Sequence, residues 1–188
     1  NGANLGFEEE LWKTANKLRS NMDASQYKHV VLGLIFLKYL SDVFQEQQLK
    51  FQYQNKNSED KSLYIQSKLF WIPEKARWDF LHLKRMENNI GKLIDNAISS
   101  IEKENSPLKN SLPKIFSNSD LDQRRLGELI ELINSIELGK DKHQSKDVLG
   151  RIYEYFLGQF ARAEGKNAGQ FYTPRSVVQL LVSMVEPF

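Results

Sequence analysis

The segment from Asp23 to about Gln54 constrains the fold most strongly, because it is one long helical stretch whose middle is apolar on nearly every side. Asp23 and Ser25 can cap its start. From Val30 to Leu40 apolar side chains surround the helix instead of forming one stripe, and such a helix must be covered on several sides. Beyond Phe44 the segment turns polar, which predicts an end that extends into solvent. The sequence therefore predicts a long helix whose first half is buried.

Apolar residues at helical spacing predict further helices on both sides of this segment. Residues 120–123 resemble a capping box at a helix start, and Gly139 is expected to end that helix. Leu69 to Pro73 reads as a short extended segment, because a residue that precedes proline avoids helical angles. The predicted fold is mainly α, with six or seven helices and no βαβ alternation. The apolar faces are Leu11, Trp12, Ala15 and Leu18; Ile90, Leu93, Ile94, Ala97, Ile98 and Ile101; Leu126, Leu129, Ile130, Ile133 and Ile136; and Val148, Leu149, Ile152, Tyr153, Phe156, Leu157 and Phe160.

Charge and composition exclude several classes of function. The 26 Lys and Arg residues nearly balance the 24 Asp and Glu residues, so the net charge of +2 does not by itself indicate nucleic-acid binding. A local basic cluster, Lys140, Lys142, Lys146 and Arg151, is interpreted as a solvated face. The absence of cysteine excludes disulfides and thiolate metal sites.

No segment has the length of a membrane span. The longest apolar run, from Val30 to Leu37, is far shorter than the roughly 20 residues that a bilayer requires. Glu8, Glu9 and Glu10 stand where a signal peptide would need basic and apolar residues. We therefore expect a cytoplasmic protein without membrane contact.

The aromatic and histidine residues each allow a functional and a structural interpretation. Two tryptophans and two phenylalanines between residues 70 and 80 could stack on bases, but a packed aromatic cluster at the core is favoured. His29, His82 and His143 do not form a metal-ligand spacing. The sequence therefore predicts no metal site and no catalytic residue within these 188 residues.

The segment that can carry chemistry begins after the polar link at residues 166–169 and leads into an apolar helix. Thr173 is placed to cap that helix, with Pro174 at its first position. The first-turn N–H groups and the helix dipole would stabilise a carboxylate by about 0.3–1 kcal/mol, and Arg175 adds a fixed positive charge. Such a set suits an amino-acid group joined to an aromatic ring system, although a Thr-Pro pair is also a generic helix start. The candidate ligand residues are Gln170, Phe171, Tyr172, Thr173, Pro174 and Arg175.

The longer string Gly-Gln-Phe-Tyr-Thr-Pro-Arg, before Val-Val-x-Leu-Leu-Val, resembles one family closely. It is similar to the first S-adenosylmethionine-binding motif in the modification (methyltransferase) subunit of type I restriction-modification systems. The resemblance continues upstream into the amino-terminal helical domain of that family, and only residues 88–145 read as generic helix. The upstream matches lie at residues 11–19, 22–23, 27–42, 70–73, 76–78 and 147–157.

This resemblance implies a multi-helix amino-terminal domain over residues 1–165. Residues 166–188 would then be a linker and the first cofactor-binding motif of a truncated, Rossmann-like methyltransferase domain. The implied activity is adenine-N6 DNA methylation with S-adenosyl-L-methionine as cofactor, and residues 170–175 would contact that cofactor, with Thr173 and Pro174 foremost. The implied partners are DNA, the specificity subunit, a second modification subunit and the restriction (translocating nuclease) subunit. The helical domain would help to enclose DNA and to assemble with the specificity subunit.

Two elements of the family are not found in the 188 residues: an Asp-Pro-x-x-Gly-type cofactor loop and the catalytic Asn-Pro-Pro motif. The fragment alone is therefore expected to lack the catalytic motif. Two alternatives stay open from the residues. One is a helical protein-interaction module with no cofactor role, and the other is a related single-chain restriction-methylation enzyme with the same amino-terminal helices.

Overall fold

The computed structural model describes residues 7–19, 22–135, 155–156, 158–159 and 161–162. These residues form helices and connecting turns, and no strand occurs among them, which confirms the predicted mainly α fold. Within residues 7–135, as far as they are described, six α-helices follow one another: α1 Phe7–Leu18, α2 Ala24–Tyr53, α3 Lys61–Gln66, α4 Trp78–Leu83, α5 Ile90–Glu104 and α6 Gln123–Asn134. Short 3-10 turns lie at Glu74–Ala76 and Ser106–Leu108. Helical backbone recurs at the described positions between 155 and 162.

Helix α2 is the central element of the fold, and α4 and α6 pack on it. Every residue from Val30 to Leu40 is buried, which confirms the prediction that this stretch is covered on several sides. Full burial of one large aliphatic or aromatic side chain contributes about 1.5–3 kcal/mol. The stability of α2 therefore comes from the helices packed around it more than from its own sequence.

The far end of α2 differs from the expectation of a free polar extension. Phe51 is buried and its ring meets Tyr64 of α3 edge-on at 5.2 Å. The helix then ends in a Schellman arrangement: Lys56 N–H donates to the Phe51 carbonyl at 2.9 Å, and Asn55 N–H donates to the Gln52 carbonyl at 3.0 Å. Asn55 has a φ of 54°, the left-handed conformation that this ending requires. Polar residues interrupt the apolar periodicity beyond Phe44, so the sequence does not indicate that Phe51 is buried.

Helix α6 begins two residues later than the capping box at residues 120–123 suggested. The Asp122 carboxylate accepts from Arg124 N–H at 2.9 Å and from Arg125 N–H at 3.2 Å, so Asp122 is the N-cap. The Gln123 side chain instead accepts from Gly91 N–H at 2.7 Å and thereby joins α6 to α5. The helix ends at Asn134, and the expected stop at Gly139 lies outside the described residues.

Helix α5 buries the face that its sequence predicts, with only Leu93 half-exposed. The predicted face of α6 is buried as well, up to Ile133. The two helices pack on each other and on α4, and α4 and α6 also pack on α2. Most of the predicted helix over residues 148–160 lies outside the described residues, but Phe156 is fully buried and Tyr155 half-buried.

None of the described helices is both long enough and apolar enough to cross a membrane.

Candidate functional site

The six predicted cofactor residues, Gln170 to Arg175, all lie outside the described residues. So do the polar link before them and the basic cluster at residues 140–151. Their role as cofactor contacts stays a prediction from the sequence. The structure describes the helices between residues 7 and 135, here called the helical body, and the surfaces that they present.

The aromatic contact between Trp12 and Phe156 joins the start of the chain to the helical segment that precedes the predicted motif. The two rings meet edge-on with centroids 5.5 Å apart. Trp12 lies on α1, which itself packs on α6, and Arg125 of α6 donates to the Lys17 carbonyl at 3.0 Å. On the other side of α1, the Tyr27 hydroxyl donates to the Ala15 carbonyl. Helix α1 therefore connects the helical core to Phe156.

Of the four aromatic residues between 70 and 80, Trp71 packs in a ring cluster and Trp78 is buried, which agrees with the favoured interpretation, while Phe70 and Phe80 pack half-buried against the core. Phe44 stacks on Tyr64 at 4.5 Å, and Trp71 meets both rings edge-on at 5.4 and 5.2 Å. The Arg77 guanidinium lies 4.7 Å from the Phe44 ring and binds both carboxylate oxygens of Glu59 at 3.1 and 2.7 Å. This hydrogen bond holds the pKa of Glu59 below its ordinary value. The rings are engaged with one another, so they are structural and do not form an open platform for bases.

Asn105 fixes the cluster to α5. Its side-chain oxygen accepts from Trp71 N–H at 2.9 Å, and its amide nitrogen donates to the Trp71 carbonyl at 2.8 Å. The buried Asn105 side chain thereby satisfies the N–H and the carbonyl of Trp71, which lies outside the helices and has no intrahelical hydrogen bonds. The extended segment from Leu69 to Pro73 is held in place by this pair of bonds.

The polar groups in the helical body show no catalytic arrangement. His82 Nε2 lies 2.8 Å from a carboxylate oxygen of Glu131, and Arg85 pairs with the same oxygen at 2.6 Å. The hydrogen bond from His82 lowers the pKa of Glu131. This triad links α4 and the turn after it to α6. Among the described residues no group of His, Cys, Asp and Glu side chains could hold a metal ion.

One cleft opens where the end of α1, the start of α2 and the start of α6 meet, and its volume is about 380 Å³. Its apolar surface consists of Leu18, Met22 and Leu121. Leu121 is buried, whereas Leu18 and Met22 are half-buried and thus reachable from solvent. The cleft is near the lower limit of the size that small-molecule sites occupy.

Charged side chains surround this apolar surface. Arg19 and Arg125 supply two cations, and Asp23, Asp120 and Asp122 supply three carboxylates. The Asp122 carboxylate accepts hydrogen bonds from backbone N–H groups in the first turn of α6. Its second oxygen lies 3.9 Å from Arg125 Nε. Burial raises the pKa of Tyr27, and the charges of Arg19 and Arg125 oppose that rise. Both guanidiniums therefore affect the same group, the Tyr27 hydroxyl.

Sequence reasoning did not find this cleft. Its residues come from three segments, and no local pattern connects residue 19 with residue 125. The predicted helix starts at Asp23 and at residues 120–123 gave the only signal, since two helix starts can meet in space.

Comparison with known families assigns both parts of the chain. Residues 7–133 match the HsdM N-terminal domain, and residues 144–188 match the N-6 DNA methylase family. The second match contains the six predicted cofactor residues. The first covers nearly all of the described helical body.

Three relatives are similar to much of the chain. The chain is 42% identical to the type I restriction enzyme MjaIX methylase subunit of Methanocaldococcus jannaschii, over 96% of this chain and 35% of that protein. It is 37% identical to the HindI methylase subunit of Haemophilus influenzae, over 62% of this chain and 30% of that protein. It is 25% identical to the MpnII methylase subunit of Mycoplasma pneumoniae, over 94% of this chain and 38% of that protein. The chain thus spans about a third of the length of these relatives, and it belongs to the family defined by the HsdM N-terminal domain, the amino-terminal region of type I restriction enzyme methylase subunits.

Proposed function

We propose that this chain is the amino-terminal part of an adenine-N6 DNA methyltransferase subunit of a type I restriction-modification system, which acts in the cytoplasm. The observation that carries the proposal is the N-6 DNA methylase match over residues 144–188, directly after the HsdM N-terminal domain match. The proposed division between the helical domain and the linker with its motif is at residues 165 and 166.

The proposed cofactor is S-adenosyl-L-methionine, which supplies an electrophilic methyl group to the exocyclic nitrogen of the target adenine. In this chain Thr173 would cap a helix and offer its hydroxyl, and Arg175 would add a positive charge for the carboxylate of the cofactor. Phe171 and Tyr172 would provide apolar surface for the rest of the ligand. This donor set fits an amino acid joined to a ring system.

The proposed task of the helical body is to hold that motif and to take part in assembly. The buried α2 and the packed aromatic cluster support this task, because they give the helical body an extensive core. Trp12 and Phe156 connect it to the segment that leads to the motif. The proposed partners are DNA, the specificity subunit, a second modification subunit and the restriction subunit.

The test uses the full-length subunit together with its specificity subunit. Transfer of a labelled methyl group from S-adenosylmethionine to duplex DNA should be detected, with N6-methyladenine as the product. Thr173→Val should weaken cofactor binding, whereas Thr173→Ser should retain it, because serine keeps the hydroxyl. A wild-type complex that neither binds the cofactor nor methylates DNA would support the alternative of an interaction module. Equal cofactor affinity for the Val and Ser variants, with lower stability for Val, would make Thr173 a cap only.

A further inference from the structure

The cleft between α1, α2 and α6 combines an apolar surface with an arginine that is not used inside the helical body. Arg19 is half-buried, and its guanidinium has no hydrogen-bond or ion-pair partner within the described part of the chain. Placing a guanidinium partly out of water without a partner is unfavourable, and the cost is removed when a carboxylate binds to it. The apolar residues beside it, Leu18 and Met22, are half-buried and gain from being covered.

We propose that this cleft is a docking site for a protein segment that presents a carboxylate next to an apolar side chain. The carboxylate would bind Arg19, with Arg125 beside it, and the apolar side chain would cover Leu18, Met22 and Leu121. The inference rests on the proposed function in one respect: the partner is then the specificity subunit of the same enzyme. Arginine and apolar residues together at a recessed surface are typical of the energetically dominant part of protein interfaces.

The charges at the edge of the cleft favour a single carboxylate over a nucleic acid. Asp23, Asp120 and Asp122 are exposed and line the same cleft as Arg19. A DNA backbone carries a negative charge about every 1.7 Å along its axis and could not approach without bringing phosphates close to these carboxylates. One carboxylate on a protein segment can meet the guanidiniums and keep away from the aspartates, because its neighbours are uncharged. The charge pattern therefore selects a protein partner.

The two arginines of the cleft are not equally useful for a test. Arg125 also donates to the Lys17 carbonyl, so its replacement would disturb the packing of α1 on α6. Arg19 lacks such a bond and can be changed with less effect on the fold. Arg124 is the matched control: its side chain is 82% exposed, it pairs with Glu128 on α6, and it does not line the cleft.

The experiment measures the affinity of the full-length modification subunit for its purified specificity subunit by calorimetry, for wild type, Arg19→Glu, Arg19→Gln and Arg124→Glu. Circular dichroism first verifies that each variant is folded. We expect Arg19→Glu to weaken binding by at least about tenfold, Arg19→Gln to weaken it less, and Arg124→Glu to change it by no more than about twofold. If Arg19→Glu is unfolded, Arg19→Gln decides, because it removes the charge without reversing it.

Three results would overturn the inference, and they are distinguishable from one another. Unchanged affinity of a folded Arg19 variant would show that the cleft is not the docking site, while the proposed function would stand. A selective loss of DNA affinity in Arg19→Glu, with subunit binding retained, would identify a nucleic-acid contact instead. Absence of binding between the wild-type subunits would contradict the proposed function itself, and the docking site with it.

Discussion

Gly91→Ala should destabilise the protein, although the same change in a helix interior normally stabilises it. Alanine is favoured over glycine by about 1 kcal/mol inside a helix, and Gly91 lies in the first turn of α5. However, a Cβ atom at this position would lie 1.9 Å from the carbonyl oxygen of Phe116 and 2.5 Å from its carbonyl carbon. Both neighbours are backbone atoms, so no side-chain rotation relieves the overlap.

The chain around Phe116 cannot move away at low cost. Asp95 accepts from Phe116 N–H at 3.1 Å and from Ser117 N–H at 2.9 Å, and Gln123 donates to the Phe116 carbonyl at 3.2 Å. Overpacking costs about 1–3 kcal/mol, and the loss of one or two of these bonds adds about 1 kcal/mol each. After subtraction of the helix-propensity gain we expect a net loss of about 1–4 kcal/mol.

Urea denaturation of the 188-residue chain, followed by circular dichroism, measures this loss as a lower midpoint at unchanged slope. Gly158→Ala is the control, because a Cβ atom at that helical glycine would meet nothing within 4 Å. It should be neutral or should stabilise by up to about 1 kcal/mol. A Gly91→Ala protein as stable as wild type would refute the claim that α5 and the Phe116 backbone are in fixed, close contact.

The remaining predictions concern two pairs of residues. Trp12→Ala and Phe156→Ala should have non-additive effects on stability, because each change removes the same edge-on ring contact. A double-mutant cycle of unfolding free energies should give a coupling of about 0.5–1.5 kcal/mol. Additive effects would show that the rings do not interact. Glu59→Gln should cost less than about 1 kcal/mol near neutral pH, because the ion pair with Arg77 is half-exposed. The pKa of Glu59 is lowered in the folded state, so its contribution is present above the ordinary glutamate value of 4.5 and is lost as the pH falls through the lowered value. The unfolding free energies of wild type and Glu59→Gln should therefore converge in acid. A difference that does not depend on pH would contradict the ion pair between Glu59 and Arg77.

The helices that bury one continuous face could be predicted from the sequence. The isoleucines of α5 recur at helical spacing, and the run from Val30 to Leu40 admits no exposed face, so local sequence determines both. The Asp122 cap was misplaced by two residues, because Asp120 and Asp122 offer the same carboxylate in the same local context. The Gln123 side chain, which would complete a capping box that starts at Asp120, accepts instead from Gly91 N–H of α5, and the Asp122 carboxylate caps the helix.

Contacts between distant segments could not be predicted in this way. Nothing near Arg19 in the sequence indicates that Arg125 would stand beside it, and nothing near Gly91 indicates the Phe116 carbonyl. The candidate cofactor residues are the opposite case. Thr173 and its neighbours form a local motif that can be recognised without a fold, and their role as ligands stays a prediction.

Lys38 lies in the middle of the most buried helix, and its position matters in two different states of the chain. In the folded protein its ammonium group binds both carboxylate oxygens of Asp42 at 2.8 and 2.7 Å and lies 5.9 Å from the Trp78 ring centre, so its charge is compensated. In the newly made chain, before those partners are in place, the same charge interrupts the apolar run that begins at Val30. Charges that flank apolar stretches oppose self-association of unfolded chains. We therefore expect Lys38 to oppose self-association of the chain before it folds, and the native packing then accommodates this residue without an unpaired charge.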